Sequence, residues 1–235
     1  MTGKKMWWLI GLTAVMGWVN LYLALIWSPP EAQMGNLVRI MYFHVSSAWI
    51  AFLAFFVTLV FSIAYLVSRK LRYDRISVSS AEIGVVFTTI TLITGSLWAK
   101  PIWNTWWTWD PRLTTTLILW FLYIAYLLLR GTITGAVRRA RISAVFGIIA
   151  FADVPIIHLS VTLWRSIHPQ VITAQGFNMP PSMVLTLLFG FITFLLIYIV
   201  LLMLRVRLET SRTRLVQLQI KMQSLRARRS QGVVK

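Results

Sequence analysis

Apolar residues fall into six runs, at Met6 to Trp27, Ala48 to Val67, Ile83 to Trp98, Thr114 to Leu129, Ile142 to His158 and Met183 to Leu204. A helix needs roughly 20 residues to cross about 30 Å of hydrocarbon, so each run predicts a membrane-spanning helix, the third and fourth near the lower limit. The fold class is therefore all-α integral membrane. Few polar residues interrupt the runs. Asn20 in the first is expected to hydrogen-bond between helices, and Asp153 lies deep in the fifth, where Pro155 predicts a kink whose freed backbone groups the acid would satisfy. Glu82 is read as the start of helix three at the membrane boundary, with no chemistry assigned. After the sixth run, Leu208, Leu215, Leu218, Met222 and Leu225 recur among Arg, Lys and Gln. That spacing predicts an amphipathic helix resting on anionic lipid or pairing with a partner, with Arg226 to Lys235 disordered. Two units follow: a six-helix membrane domain over 1–205 and a basic tail over 206–235.

Composition agrees: the chain is 58% hydrophobic and 12% charged, with a formal net charge of +17 and a mean hydropathy of +0.73. The basic residues are unevenly placed. Lys4 and Lys5, Arg69 to Arg75, Arg130 to Arg141 and the cluster from Arg205 onward share one side, against Arg39, Lys100, Arg112 and Arg165 on the other. Positive loops stay in the cytoplasm, so both termini are expected there. Topology and anionic headgroups account for the charge without nucleic acid. The absence of cysteine excludes thiolate metal sites, disulfides and thiol redox chemistry. No GxxxxGK[ST] loop is present, which excludes ATP hydrolysis by this chain.

Five tryptophans, Trp98, Trp103, Trp106, Trp107 and Trp109, fall between residues 98 and 109, interspersed with Lys100 and Asp110 and followed by Arg112. A short interfacial helix over 103–110, bracketed by Pro101 and Pro111, would put Trp103, Trp106, Trp107 and Asp110 on one face. The topology sets this run on the outer side with His44, at the entry to helix two where Ser46 or Ser47 is an expected N-cap, and with His168 between helices five and six; His158 is nearer the end of helix five. One reading is an aromatic belt anchoring helices at the headgroups. The other is a haem site, because imidazoles ligate iron, aromatic faces cover a porphyrin, and Lys100, Arg112 or Arg165 can pair with propionates. Asp110 would then orient Arg112 or the loop. A transporter with a path through the bundle, and a membrane transferase using Asp110, stand as alternatives.

The run Trp98 to Thr114 resembles the tryptophan-rich WGxWWxWDxRLT (WWD) motif of the haem-handling proteins of cytochrome c biogenesis. With His44-Val45, Ser160-Val161 and His168, and at this length, the chain is similar throughout to the cytochrome c maturation protein C (haem exporter protein C) family. That resemblance implies a non-enzymatic protein of the bacterial inner membrane, or alternatively of a mitochondrial inner membrane. It implies that the tryptophan loop binds haem b as a transported ligand at the periplasmic face, with His44 and His168 as axial ligands. The implied partners are membrane lipid, a periplasmic haem chaperone (protein E), the ABC-type subunits A and B, and the small membrane protein D. Three positions depart from the family pattern: Asn104 replaces glycine, Ser46 replaces proline, and Pro169 replaces glutamine. Asn104 implies either a changed local backbone or an asparagine in the left-handed conformation.

Overall fold

The computed structural model describes residues 3–164, 172–173, 176–177 and 179–232. Helix α1 spans Gly3–Tyr22 and runs on into a π turn, Leu23–Trp27; α2 spans Arg39–Ser68, α3 Leu71–Trp103, α4 Pro111–Thr132, α5 Ala136–Phe151, α6 Asp153–Leu163 and α7 Pro181–Gly232. Between α6 and α7, β1 (Ile172–Thr173) pairs antiparallel with β2 (Gly176–Phe177). With α5 and α6 taken as one interrupted span, six helices among the described residues are long and apolar enough to cross a membrane.

The centre of the bundle is the α2–α3 pair, and small residues explain its closeness. Ser47, Ala51, Ala54, Thr58 and Ser62 line α2 at helical spacing, and Ser77, Ser80, Ala81, Gly84 and Thr88 line α3; all are buried. In lipid no hydrophobic force draws helices together, so backbones that approach closely and hydroxyls that bond across the gap do so instead. Ser80 Oγ donates to the Ala54 carbonyl at 2.7 Å, which leaves it to accept from Tyr198 of α7 at 2.8 Å. Ser62 and Ser77 hydroxyls meet at 2.9 Å. Phe55 stacks on Tyr123 of α4 with centroids 3.8 Å apart, and Gly84 makes room for it, since a Cβ there would lie 2.5 Å from Phe55 Cε1.

Several helices run beyond their apolar runs. Helix α2 begins at Arg39, so Ser46 and Ser47 do not cap it; both lie fully buried in its interior. Helix α3 begins at Leu71, so Glu82 sits about three turns inside it and pairs with Arg205 of α7, whose Nε donates to Glu82 Oε2 at 2.7 Å. Charged residues can enter these helices because they find partners. Asp74, in the first turn of α3, is clamped bidentately by Arg130 of α4 at 2.7 and 2.9 Å.

Span five is interrupted at Ala152 alone, which keeps a helical conformation (φ −59°, ψ −21°), just ahead of the proline expected to kink it. Proline cannot donate a hydrogen bond, and its ring crowds the carbonyl four residues back; here Pro155 sits four residues after Phe151, where α5 ends. Asp153 opens α6 almost buried, and its Oδ2 has no partner among the described residues. Asn20 is also buried, its Oδ1 unpartnered among the described residues beside Gly190 and Ser46.

The tail is not a separate element. Helix α7 passes from span six through Arg205 to Gly232 as one helix of 52 residues. No glycine or proline occurs from Phe191 to Gln231 to stop it, and Glu209 pairs with Arg205 at 3.5 Å and with Arg212 at 3.3 Å across the junction. The expected disorder from Arg226 is likewise replaced by helix as far as Gly232; residues 233–235 are outside the described part.

Candidate functional site

The tryptophan run spans the end of α3, a loop and the start of α4. Helix α3 does not stop at Pro101 but carries it inside its last turn and ends at Trp103. Asn104 then takes the left-handed conformation, φ 54°, which asparagine tolerates better than most residues. Lys100 reaches forward to hold it, with Nζ donating to the Asn104 carbonyl at 3.2 Å and to Oδ1 at 3.1 Å. At the far end Asp110 caps α4: its Oδ1 accepts from the Arg112 backbone N–H at 2.9 Å, with Pro111 at the first helical position. Residues 104–110 are non-helical. The interfacial helix expected over 103–110 is therefore absent, because the left-handed residue ends one helix and the aspartate starts the next.

The five rings occupy different environments. Trp98 is buried, 5% exposed, in an apolar cluster with Met41, Tyr42 and Val45 of α2 and Met183 and Leu187 of α7. Its indole N–H has no partner among the described residues. Trp103 and Trp107 are half-buried, whereas Trp106 and Trp109 are 56% and 76% exposed. Trp107 and Trp109 meet edge to face at 6.0 Å. Inside the loop, Thr105 Oγ1 donates to the Trp107 carbonyl at 2.9 Å.

Helix α2 brings His44 to this end of the bundle. Its ring lies 5.9 Å from that of Trp98, tilted by 60°, and it is 7% exposed. His44 Nδ1 lies 3.0 Å from Thr94 Oγ1, and Thr94 spends its hydroxyl proton on the Ile90 carbonyl at 2.7 Å. The threonine oxygen is therefore the acceptor and His44 Nδ1–H the donor, a tautomer that leaves Nε2 as the basic nitrogen. Gly95 makes space for the ring, since a Cβ there would sit 3.0 Å from His44 Cε1. A histidine ring packed between a glycine and a tryptophan and fixed through Nδ1 is a preoriented donor of the kind that metal sites use.

The structure thus brings His44 against Trp98, the helical start of the tryptophan run. Lys100 and Asp110 serve the two helix ends that bound the loop, and Arg112 stands half-buried in the first turn of α4. His158 lies exposed on α6. His168 and Arg165 fall outside the described residues. Thr94 and Gly95 carry no signal in sequence, being 50 and 51 residues from the histidine they hold. Arg39, used in the sequence only for topology, opens α2 five residues before His44, and its Nε is buried without a partner among the described residues.

Comparison with known proteins gives a consistent picture. The family profile described as "Heme exporter protein C" matches residues 1–221. A "Heme exporter protein C" from Bradyrhizobium diazoefficiens is 33% identical over 94% of this chain and 84% of its own length. One of the same name from Escherichia coli K12 is 34% identical over 85% of this chain and 83% of its own. A "Putative cytochrome c biosynthesis ccmC-like mitochondrial protein" from Arabidopsis thaliana is 35% identical over 85% of this chain and 76% of its own.

Proposed function

The chain belongs to the haem exporter protein C family, and from that premise we propose that it binds haem b at the outer face of the membrane and hands it to the periplasmic chaperone, protein E. Haem is cargo here. It is a multi-pass inner-membrane protein, and the Lys and Arg distribution supports cytoplasmic termini with the tryptophan loop outside. The observation that carries the reading is His44, buried against Trp98 and aligned through Nδ1 by Thr94 at the foot of that loop.

In this reading His44 Nε2 is one axial ligand and His168 the other. Support for His168 comes from the start of α7, where Met183 packs in the Trp98 cluster, fifteen residues beyond it in the chain. Trp103, Trp106, Trp107 and Trp109 form a platform over the porphyrin, with Trp98 behind His44. Arg112, Lys100 and Arg165 are the cations proposed to pair with the propionates. Two imidazoles fill both axial positions, which suits carriage rather than oxygen chemistry. Subunits A and B and small protein D would supply the ATP-driven release that this chain has no nucleotide loop to perform.

A path through the bundle is less well supported, since the buried hydroxyls of Ser62, Ser77, Ser80 and Tyr198 bond to one another between packed helices. The test is the absorption spectrum of the purified protein, oxidised and reduced, beside His44→Ala and His168→Ala. A low-spin six-coordinate haem that is lost or becomes high-spin in both variants is the expected result. Wild type that carries no haem from haem-replete cells, even with its chaperone present, overturns the proposal.

A further inference from the structure

The part of α7 beyond the membrane presents an apolar seam that nothing among the described residues covers. At 1.5 Å per residue its 52 residues extend about 78 Å, of which hydrocarbon accounts for only about 30 Å. The remaining length projects from the side opposite the tryptophan loop, since α4, the fifth span and α7 cross in succession after it. From Leu204, the last residue of span six, and out along that projection, Leu204, Leu208, Leu215, Leu218 and Met222 are all more than 40% exposed. Their spacings of 4, 7, 3 and 4 follow alternating seam positions of a heptad, with Ser211 at the one polar seam position. Because span and tail are one helix, the seam runs through nearly three heptads; Val216 and Ile220 fall outside it.

The flanks decide what can cover it. The positions beside the seam hold Arg207, Arg214 and Lys221 on one edge and Arg212 and Gln219 on the other. A second copy would face these with its own cations in either orientation, Arg207 against Arg212 in parallel pairing and like edges against like edges in antiparallel pairing. Anionic lipid matches the charge, but a helix without a break from Phe191 onward leads away from the surface rather than along it. We propose that residues 204–222 are a docking arm for an acidic amphipathic helix of another protein, with apolar residues in the seam and Glu or Asp on both edges.

The experiment uses the whole protein in nanodiscs of zwitterionic lipid, titrated with two fluorescent peptides of about four heptads. Both carry Leu at the seam positions; one has Glu on the edges and the other Lys. The acidic peptide binds saturably and the basic one does not. Leu215→Ser/Leu218→Ser weakens binding about tenfold or more, the equivalent of about 1.4 kcal/mol, and Arg214→Glu/Lys221→Glu shifts preference toward the basic peptide. These side chains are exposed and outside the membrane, so the variants remain folded, which an unchanged Tm verifies. In native membranes a photocrosslinker at Leu218 forms an adduct with an acidic, heptad-patterned segment of another chain, and one at Gln217, on the opposite face, does not. No binding of the acidic peptide, equal binding of the basic one, or a Leu218 adduct with lipid or a second copy overturns the proposal.

Discussion

Thr94→Val tests the alignment of His44 with the least disturbance of shape, because valine replaces the hydroxyl with a methyl of similar size. In the wild type His44 Nδ1–H is given to Thr94 Oγ1 at 3.0 Å, and His44 is 7% exposed, so water does not readily replace the lost acceptor. A buried donor left unsatisfied costs about 1–3 kcal/mol. The ring relieves that cost by rotating or changing tautomer, and either moves the lone pair of Nε2 away from its ligating direction. Loss of such an outer hydrogen bond typically lowers metal affinity about 10–100-fold, which is about 1.4–2.7 kcal/mol and agrees with the desolvation figure. Haem titration of the detergent-purified protein, followed by the Soret band, measures it directly. Thr94→Val should bind haem in that weakened range with an unchanged Tm, and Thr94→Ser should bind like the wild type. Wild-type affinity and spectrum in Thr94→Val, beside loss of binding in His44→Ala, would show that the threonine does not orient the ligand.

Two further outcomes follow from the ends of the loop and of the bundle. Asp110→Ala removes the cap of α4, costs about 1 kcal/mol and lowers Tm by about 2–4 °C for a chain of this size, while Asp110→Asn, which still caps, does not; differential scanning fluorimetry separates them. Asp74→Ala leaves the Arg130 guanidinium, only 10% exposed at its side chain, without its bidentate partner and costs about 3–5 kcal/mol, much of which Asp74→Ala/Arg130→Met restores in the same assay.

How much of this was legible in the chain depends on whether the cause was local. The six spans were legible because an apolar run long enough to cross lipid has few other uses. Their ends were not, and the error had one direction. Hydropathy stops at Ala48 for α2 and Ile83 for α3, yet Ser46, Ser47, Asp74 and Glu82 lie inside helices, the two acids because arginines on other helices pair with them. Distances of 56 residues for Asp74 and Arg130, and 123 for Glu82 and Arg205, put those partners beyond any local pattern. The tryptophan run marked a candidate site but not its backbone. Spacing alone favoured a helix over 103–110, whereas the conformations of Asn104 and Asp110 decide for a loop. The left-handed option for Asn104 is legible in the sequence and holds in the structure, and Asp-Pro could have been read as a helix start.

The resulting division between fixed and free parts bears on carriage. A haem carrier must hold iron in a defined geometry and still surrender it, and these demands fall on different bonds. His44 is set within a long helix, with its ring fixed by Thr94, Gly95 and Trp98, so the proposed iron ligand would not need to be ordered on binding. The platform is built otherwise. Residues 104–110 are pinned at Asn104 by Lys100 and at Asp110 by the α4 cap, but between them no helix or sheet fixes the chain, and Trp106 and Trp109 stand open. Such a segment can close over a flat ligand and lift from it without breaking either helix. A chaperone that displaces the loop and offers its own ligand would meet one rigid imidazole at a time, rather than a closed pocket.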